Sequence, residues 1–441
     1  MNQLTVSLWG DEAFASILAQ KSLADIVTIV ARDTSPPLHY ILLHFWMQIF
    51  GTSEIAIRSF PLLLFVLLAF VVHKLAEELF GKRAGVFAFF LTLLNPFLFI
   101  YAFEARMYML LALTSTASMW FFVTKRWKLY ILLTTAALYT HHFSVFIILV
   151  QVLYSSLNIL PVIRQEIAKP WKLIIGLLKS SFVRSLTAIF ILYAPWLPSL
   201  YGQTSMVGGD FWLPRPKADD LWKLYSHFIA GSSNLPVELW VMSAGLLLLL
   251  LRGFQKGKDV LIYLWLFLPA ILTYLASQFG RPLFFDRYLI VSTAAIPLLL
   301  ASPPLKKIST ILVLTIIAGL ALINIYSFQR PVKQPFREVA SFVSARYGKD
   351  KMVINYYTNA LHYFELKHYQ TNVKIYSPSG PLPFWVGTAL IDPKDVLTQL
   401  PPEKTLLVMA SGDINRVAIS GYGEIRRERF RDLYLLWFAA R

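Results

Sequence analysis

Four short groups in this 441-residue chain hold carboxylates, arginines, tyrosines or histidines that could do chemistry: Asp11-Glu12, Glu104-Ala105-Arg106 between Tyr101 and Tyr108, His141-His142, and Asp286-Arg287-Tyr288. A carboxylate within reach of a hydroxyl can take its proton. An arginine can hold two oxygens of a phosphate at once. Histidine with a carboxylate suits a divalent cation such as Zn²⁺ or Mn²⁺, and Glu104 with His141 is the pairing to consider. His141 and His142 do not both reach one ion if they lie on a helix, because adjacent helical residues point about 100° apart. The chain has no cysteine. That excludes disulfides, thiolate catalysis and Cys-based metal sites.

The elements that carry these groups follow from composition. Hydrophobic residues make up 56% and charged residues 15%, against about 25% charged in soluble domains. A single soluble domain and a disordered chain are both excluded. Residues 330–441 hold 16 Lys+Arg and 10 Asp+Glu of the 66 charges, so the chain divides into a long apolar part and an ordinary polar tail. The net charge of +16 sits in short loops between apolar runs. This is the placement membrane topology demands, and it argues against nucleic acid.

A bilayer takes about 17–25 helical residues to cross. Spans are expected near 60–80, 84–100, 107–124, 185–200, 237–251, 259–278, 287–302 and 308–327. The stretch 129–158 is too long for one span, and its centre reads Thr140-His141-His142. The basic loops at Lys82-Arg83, Lys125-Arg126-Lys128, Arg164 to Arg184, Arg252 to Lys258 and Lys306-Lys307 should face the cytoplasm. They fit one alternating topology if 129–158 is a hairpin of two short helices with His141-His142 at the outer turn. That makes about ten spans. Segments 9–58, 101–107, 201–236, 279–287 and the tail then lie outside. In segment 9–58, Ala13–Ala31 reads as one amphipathic helix on the membrane surface, and Pro36-Pro37 start a second interfacial helix over 38–50. His39, Trp46, Trp9, Trp196 and Trp212 fit an interfacial belt.

In order along the first 330 residues come Leu8-Trp9-Gly10-Asp11-Glu12-Ala13, Ser35-Pro36-Pro37-Leu38-His39-Tyr40, Gly51 to Ser59, Glu104-Ala105-Arg106-Met107-Tyr108, Pro195-Trp196-Leu197-Pro198 and Asp286-Arg287-Tyr288. This set resembles the polytopic glycosyltransferases of the glycosyltransferase-C superfold. The subgroup it resembles includes protein O-mannosyltransferases and the lipid A aminoarabinose transferase. The resemblance implies an inverting enzyme that moves a sugar from a polyprenyl-phosphate donor to an acceptor hydroxyl on a protein, lipid or glycan. It implies Asp11 as general base, Glu12 as its structural or acceptor-binding neighbour, and Glu104 as a second acid. Arg58, Arg106 and Arg287 are the expected donor-phosphate ligands. His39, Tyr108, His141, His142 and Trp212 are the expected substrate contacts, Trp212 by stacking on a sugar. A divalent metal on Glu104 and His141 is the only cofactor considered. Enzymes of this kind carry a span ahead of the acidic pair, so an eleventh is expected before Trp9.

The fold class is therefore an α-helical polytopic membrane protein with a small C-terminal extracytoplasmic α/β domain. Residues 1–329 form the transmembrane catalytic domain and 330–441 the tail domain. In the tail, helices are expected over Pro335–Tyr347, Asn359–Tyr369 and Pro393–Leu400, and strands over Met352–Tyr356, Val373–Tyr376, Leu406–Ala410 and Leu433–Ala439. This alternation favours a partly parallel sheet. Two other readings compete. A transporter or flippase for lipid-linked glycans should keep polar or broken positions at mid-membrane, whereas here the spans are apolar inside and show no internal repeat. A non-catalytic scaffold would simply display the tail.

Overall fold

A computed structural model describes residues 2–166, 180–207, 213–232, 235–251, 257–301, 310–356, 360–370, 372–378 and 380–441. Trp212 and the basic residues Lys169, Lys172, Lys179, Arg252, Lys256, Lys306 and Lys307 lie outside the described residues. The chain forms two compact units: Met1–Thr34 with Tyr40–Arg58 and Gln329–Arg441, and Ser35–His39 with Ser59–Phe328.

The N-terminal helices are α1 (Gly10–Ala19), α2 (Leu23–Ala31) and α3 (Leu38–Phe50). One amphipathic helix was expected over Ala13–Ala31, and here the structure differs. Ser22 is an N-cap whose hydroxyl accepts the Asp25 N–H at 3.2 Å, so a new helix starts there. The two halves also differ in burial. The small residues Gly10, Ala13, Ala15, Ser16 and Ala19 on α1 are buried, while Leu23 and Val27 on α2 are exposed.

The second unit is helical. It holds α4 (Glu54–Phe80) from Ser59 on, then α5 (Lys82–Leu94), α6 (Pro96–Tyr101), α7 (Tyr108–Val123), α8 (Trp127–Leu138), α9 (Val145–Glu166), α10 (Ser181–Tyr193), α11 (Leu197–Val207), α12 (Ala218–Ala230), α13 (Pro236–Leu251), α14 (Lys258–Phe279), α15 (Ala295–Ala301) and α16 (Thr310–Gln329). Among the described residues, Glu54–Phe80, Ser181–Val207 and Lys258–Phe279 are long and apolar enough to cross a membrane, and six apolar helices are shorter. By length and composition these helices fit a multi-pass membrane protein. The stretch 129–158 is a hairpin that turns at Tyr139–His141, as its length and polar centre predict. The run 84–100 is broken instead of continuous. Asn95 accepts the Leu98 N–H at 2.9 Å and Pro96 opens α6, so one apolar run becomes two helices.

Polar side chains tie these helices together. Tyr130 Oη donates to Gln151 at 2.8 Å, Gln151 Nε2 donates to Ser118 at 3.1 Å, and Ser118 and Thr134 share a bond of 2.7 Å. Such interhelical bonds do in lipid what apolar burial does in water. An apolar cavity lined by Leu91, Val241, Ile296 and Leu320 lies among the helices, with no ionisable side chain in its wall.

The C-terminal segment adds α17 (Phe336–Tyr347), α18 (His362–Tyr369) and six strands: β1 (Val353–Tyr356), β2 (Val373–Tyr376), β3 (Val396–Leu397), β4 (Thr405–Ser411), β5 (Tyr422–Phe430) and β6 (Leu433–Ala440). Their order is β3-β2-β1-β4-β6-β5. The first four are parallel, and β6 and β5 run antiparallel. Its core is Ile354, Leu406, Val408, Leu436 and Phe438, all buried. The helix expected over Pro393–Leu400 is a 3₁₀ turn at Pro393–Asp395 followed by β3, because Val396 and Leu397 pair instead with Ile375 and Tyr376 of β2. β5 was not foreseen. It is a mostly exposed edge strand rich in arginine and glutamate, with a bulge at Glu424/Arg426. Charge and bulge protect an edge against further pairing and hide the alternation that marks a strand.

Candidate active site

In the first unit, α1 splits the acidic pair. Glu12 is fully buried and Asp11 is partly exposed. Glu12 receives Arg58 Nε at 2.9 Å and Nη2 at 2.7 Å, and Lys333 Nζ at 2.9 Å. Burial alone would raise its pKa. The cations Lys333 and Arg58 overcome this and hold the carboxyl at about 2. Arg58 is itself buried, and its other three N–H groups donate to the carbonyls of Leu4, Val6 and Ser7. An arginine has five N–H donors, and all five of Arg58 are committed to its own unit. The phosphate contact expected of Arg58 therefore competes with a complete set of internal bonds, and its evident task is to seat the segment before α1 against Glu12.

This network continues through Glu54, inside the Gly51–Ser59 motif, into C-terminal residues that no local motif marks. Tyr369 Oη accepts the Leu8 N–H at 2.9 Å and donates to Glu54 at 2.9 Å, and Arg337 donates to Glu54 at 3.0 Å. Lys333, Glu54, Arg337 and Tyr369 were missed because Lys333 and Glu12 are 321 residues apart. The one available sequence signal is the position of Lys333 just past the end of an apolar run.

In the second unit, the loop between α6 and α7 brings several expected residues together. Arg106 acts electrostatically on both His39 and His141. His39 is fully buried, within electrostatic reach of this loop. Burial first, and then Arg106, lower its pKa to about 3. Tyr101 feels Asp286, Glu104, Tyr108 and Arg287, although burial is the main cause that raises its pKa. The Arg287 guanidinium lies 4.5 Å from the Phe285 ring centroid and 5.9 Å from that of Tyr108. Glu104, Asp286 and Arg287 are accordingly within electrostatic reach of Tyr101, and Arg106 within that of His39 and His141.

The two histidines do not share a helix: His141 has extended backbone and His142 opens a 3₁₀ turn, so the 100° helical argument does not apply to them. Their ring centroids are 6.4 Å apart. His141 lies 5.2 Å from the Tyr288 ring, and burial, followed by His142 and Arg106, lowers its pKa to about 3. His142 Nε2 bonds Gln203 at 2.9 Å, and burial lowers its pKa to about 4 against that bond. Both present neutral imidazoles at neutral pH. His227 Nδ1, 3.1 Å from Asp286, is a further member of the group that the sequence did not suggest. Among the described residues, no three His, Cys, Asp or Glu side chains are grouped to hold a metal ion.

Residues 34–193 match the profile of the family described as dolichyl-phosphate-mannose-protein mannosyltransferase. The chain is similar in structure to ArnT from Cupriavidus metallidurans, solved apo (TM-score 0.55, 14% identity) and bound to undecaprenyl phosphate (0.61, 12%). Each match covers 99% of this chain and 95% of ArnT. A third similar structure is the Archaeoglobus fulgidus oligosaccharyltransferase tethered with an acceptor peptide, with a TM-score of 0.50 and 12% identity over 93% of this chain and 66% of that one. No curated protein matches the sequence. The chain has the fold of ArnT, and residues 34–193 carry the profile of the mannosyltransferase family that the sequence resembles.

Proposed function

We propose that this enzyme transfers a sugar, with inversion, from a polyprenyl-phosphate donor to an acceptor hydroxyl on the outer face of the membrane. ArnT bound to undecaprenyl phosphate supports a donor lipid of that class. Asp11 is the general base. The observation that carries this is the division of labour on the first turn of α1: Glu12 is locked by Arg58 and Lys333, and Asp11 is left partly exposed. A base must exchange protons with a substrate, which Glu12 cannot do without unpairing buried cations. Arg106 and Arg287 hold the departing phosphate, where paired N–H donors stabilise developing charge. Glu104, Tyr108, His141 and His142 shape the surroundings of that phosphate and its sugar.

Attack by the acceptor oxygen on the anomeric carbon forms the new glycosidic bond. The acceptor proton goes to Asp11, and the carbon–oxygen bond to the lipid phosphate breaks, with its electrons leaving on the phosphate. Asp11→Asn tests this directly. Asparagine keeps the shape but takes no proton, so transfer should fall to about 1% or less of the wild-type rate, with donor binding retained. If Glu104→Gln is inactive and Asp11→Asn retains most activity, the base belongs to the loop before α7.

A further inference from the structure

The residues on either side of Asp11 are held by the far end of the chain. Ser7, which is buried, donates its hydroxyl to Glu338 at 3.1 Å and accepts the Arg337 backbone N–H at 3.1 Å. The Leu8 N–H goes to Tyr369 Oη at 2.9 Å. Directly after Asp11, Glu12 accepts Lys333 Nζ at 2.9 Å, and its Oε2 also accepts the Trp9 N–H at 3.4 Å. Lys333 precedes α17, Arg337 and Glu338 lie on its first turn, and Tyr369 ends α18. The C-terminal segment thus grips Ser7, Leu8 and Glu12, with Asp11 between them. The Tyr369 contact is directional. Its proton goes to Glu54 at 2.9 Å, and Glu54 accepts Arg337 at 3.0 Å, so the phenol oxygen is turned to accept from Leu8. α18 also backs the rest of α1: Phe364 meets Phe14 with ring centroids 5.2 Å apart, and His368 Nδ1 bonds Ser16 Oγ at 3.2 Å.

A helix of 10 residues is marginal without outside contacts. The direction of a side chain on its first turn is therefore set by whatever holds that turn. We propose that Lys333 and Tyr369 are positioning residues for Asp11: through them the C-terminal segment sets the aim of the base. This rests on the assignment of Asp11 as the base. Lys333 fixes the backbone after Asp11 through the Glu12 carboxylate, in a charge-assisted contact with a buried group. Tyr369 fixes the backbone ahead of it, at Leu8. Arg106 and Arg287, the proposed phosphate ligands, belong to the other compact unit. The two contacts should thus govern the chemical step and leave donor binding alone.

The test combines sugar transfer by the full-length enzyme, with dolichyl-phosphate mannose as the donor, and a nitroxide label at position 11. Tyr369→Phe and Lys333→Met should each lower kcat about ten- to a hundredfold, since a small misplacement of a catalytic group is that costly, with KM for the donor unchanged. Lys333→Arg keeps the charge and should recover most of the loss. The chain has no native cysteine, so a label on Asp11→Cys reports that turn alone. It should gain mobility when Tyr369→Phe or Lys333→Met is added, while a label on Val27→Cys, exposed on α2, should not change. Tyr369→Phe deletes one hydroxyl from a partly buried ring and decides the matter if Lys333→Met fails to fold. If Asp11→Asn is inactive but Tyr369→Phe keeps the wild-type kcat and label mobility, the clamp is merely structural and this inference alone falls. If Asp11→Asn transfers sugar at the wild-type rate, the base assignment falls and takes the clamp's role with it.

Discussion

Adjacent helical residues diverge by about 100°, so Asp11 and Glu12 meet different surroundings although they differ by one methylene. Glu12 faces inward to Arg58 and Lys333. Removing one partner from a buried ion pair costs about 3–5 kcal/mol, so Glu12→Gln should lower thermal stability sharply, whereas Asp11→Asn should leave it nearly unchanged. Melting curves of the purified variants in detergent check this. The acid response follows with a definite sign. Glu12 in the fold titrates at about 2 against an ordinary 4.5. Its stabilisation is fully present above about pH 4.5 and is lost as the pH falls from there toward 2. In Glu12→Gln, that component of the acid transition should disappear.

At the scale of elements, the proposed function assigns the cations for a lipid phosphate to the loop after α6 and to the residue before Tyr288. A charge-assisted hydrogen bond contributes about 1.5–3 kcal/mol, roughly ten- to a hundredfold in affinity. Arg106→Ala and Arg287→Ala should each weaken binding of a polyprenyl phosphate by that factor. Lys223→Ala should not, because Lys223 is exposed and paired with Asp219 and Asp220. Unchanged affinity in both arginine variants would move the phosphate elsewhere. Packing within the first unit sets a second constraint. Gly387 has φ +82°, and a Cβ there would come within 2.8 Å of the Phe14 ring, which also meets Phe364 and Tyr40. Gly387→Ala should therefore destabilise the seat of α1, seen as faster proteolysis of the C-terminal segment.

At the scale of the whole molecule, the Lys/Arg bias argues for the loop at Lys82 inside and the C-terminal domain outside. The chain has no cysteine, which makes the test clean. Lys82 and Ala345 are both exposed. In intact cells, an impermeant thiol reagent should label Ala345→Cys and spare Lys82→Cys, and the reverse pattern would invert the topology.

The apolar runs, the hairpin at His141 and most of the tail's helices and strands follow from local pattern, because chain length against bilayer thickness and alternation against helical period are properties of neighbouring residues. Asp11, Arg106 and Arg287 stand out in the sequence for the same reason, as short motifs at the ends of apolar runs, and the chemistry proposed for them starts from residue type. Partners distant in sequence were not. Nothing near Glu12 announces Lys333, and nothing near Asp286 announces His227. Arg58 reads from sequence like any other arginine at the end of a span, and only the fold surrounds it with Glu12 and three carbonyls. Residue type sets which reactions a group can perform. Which groups remain open to a substrate depends on what the rest of the chain packs against them, and that is decided only when segments hundreds of residues apart come together.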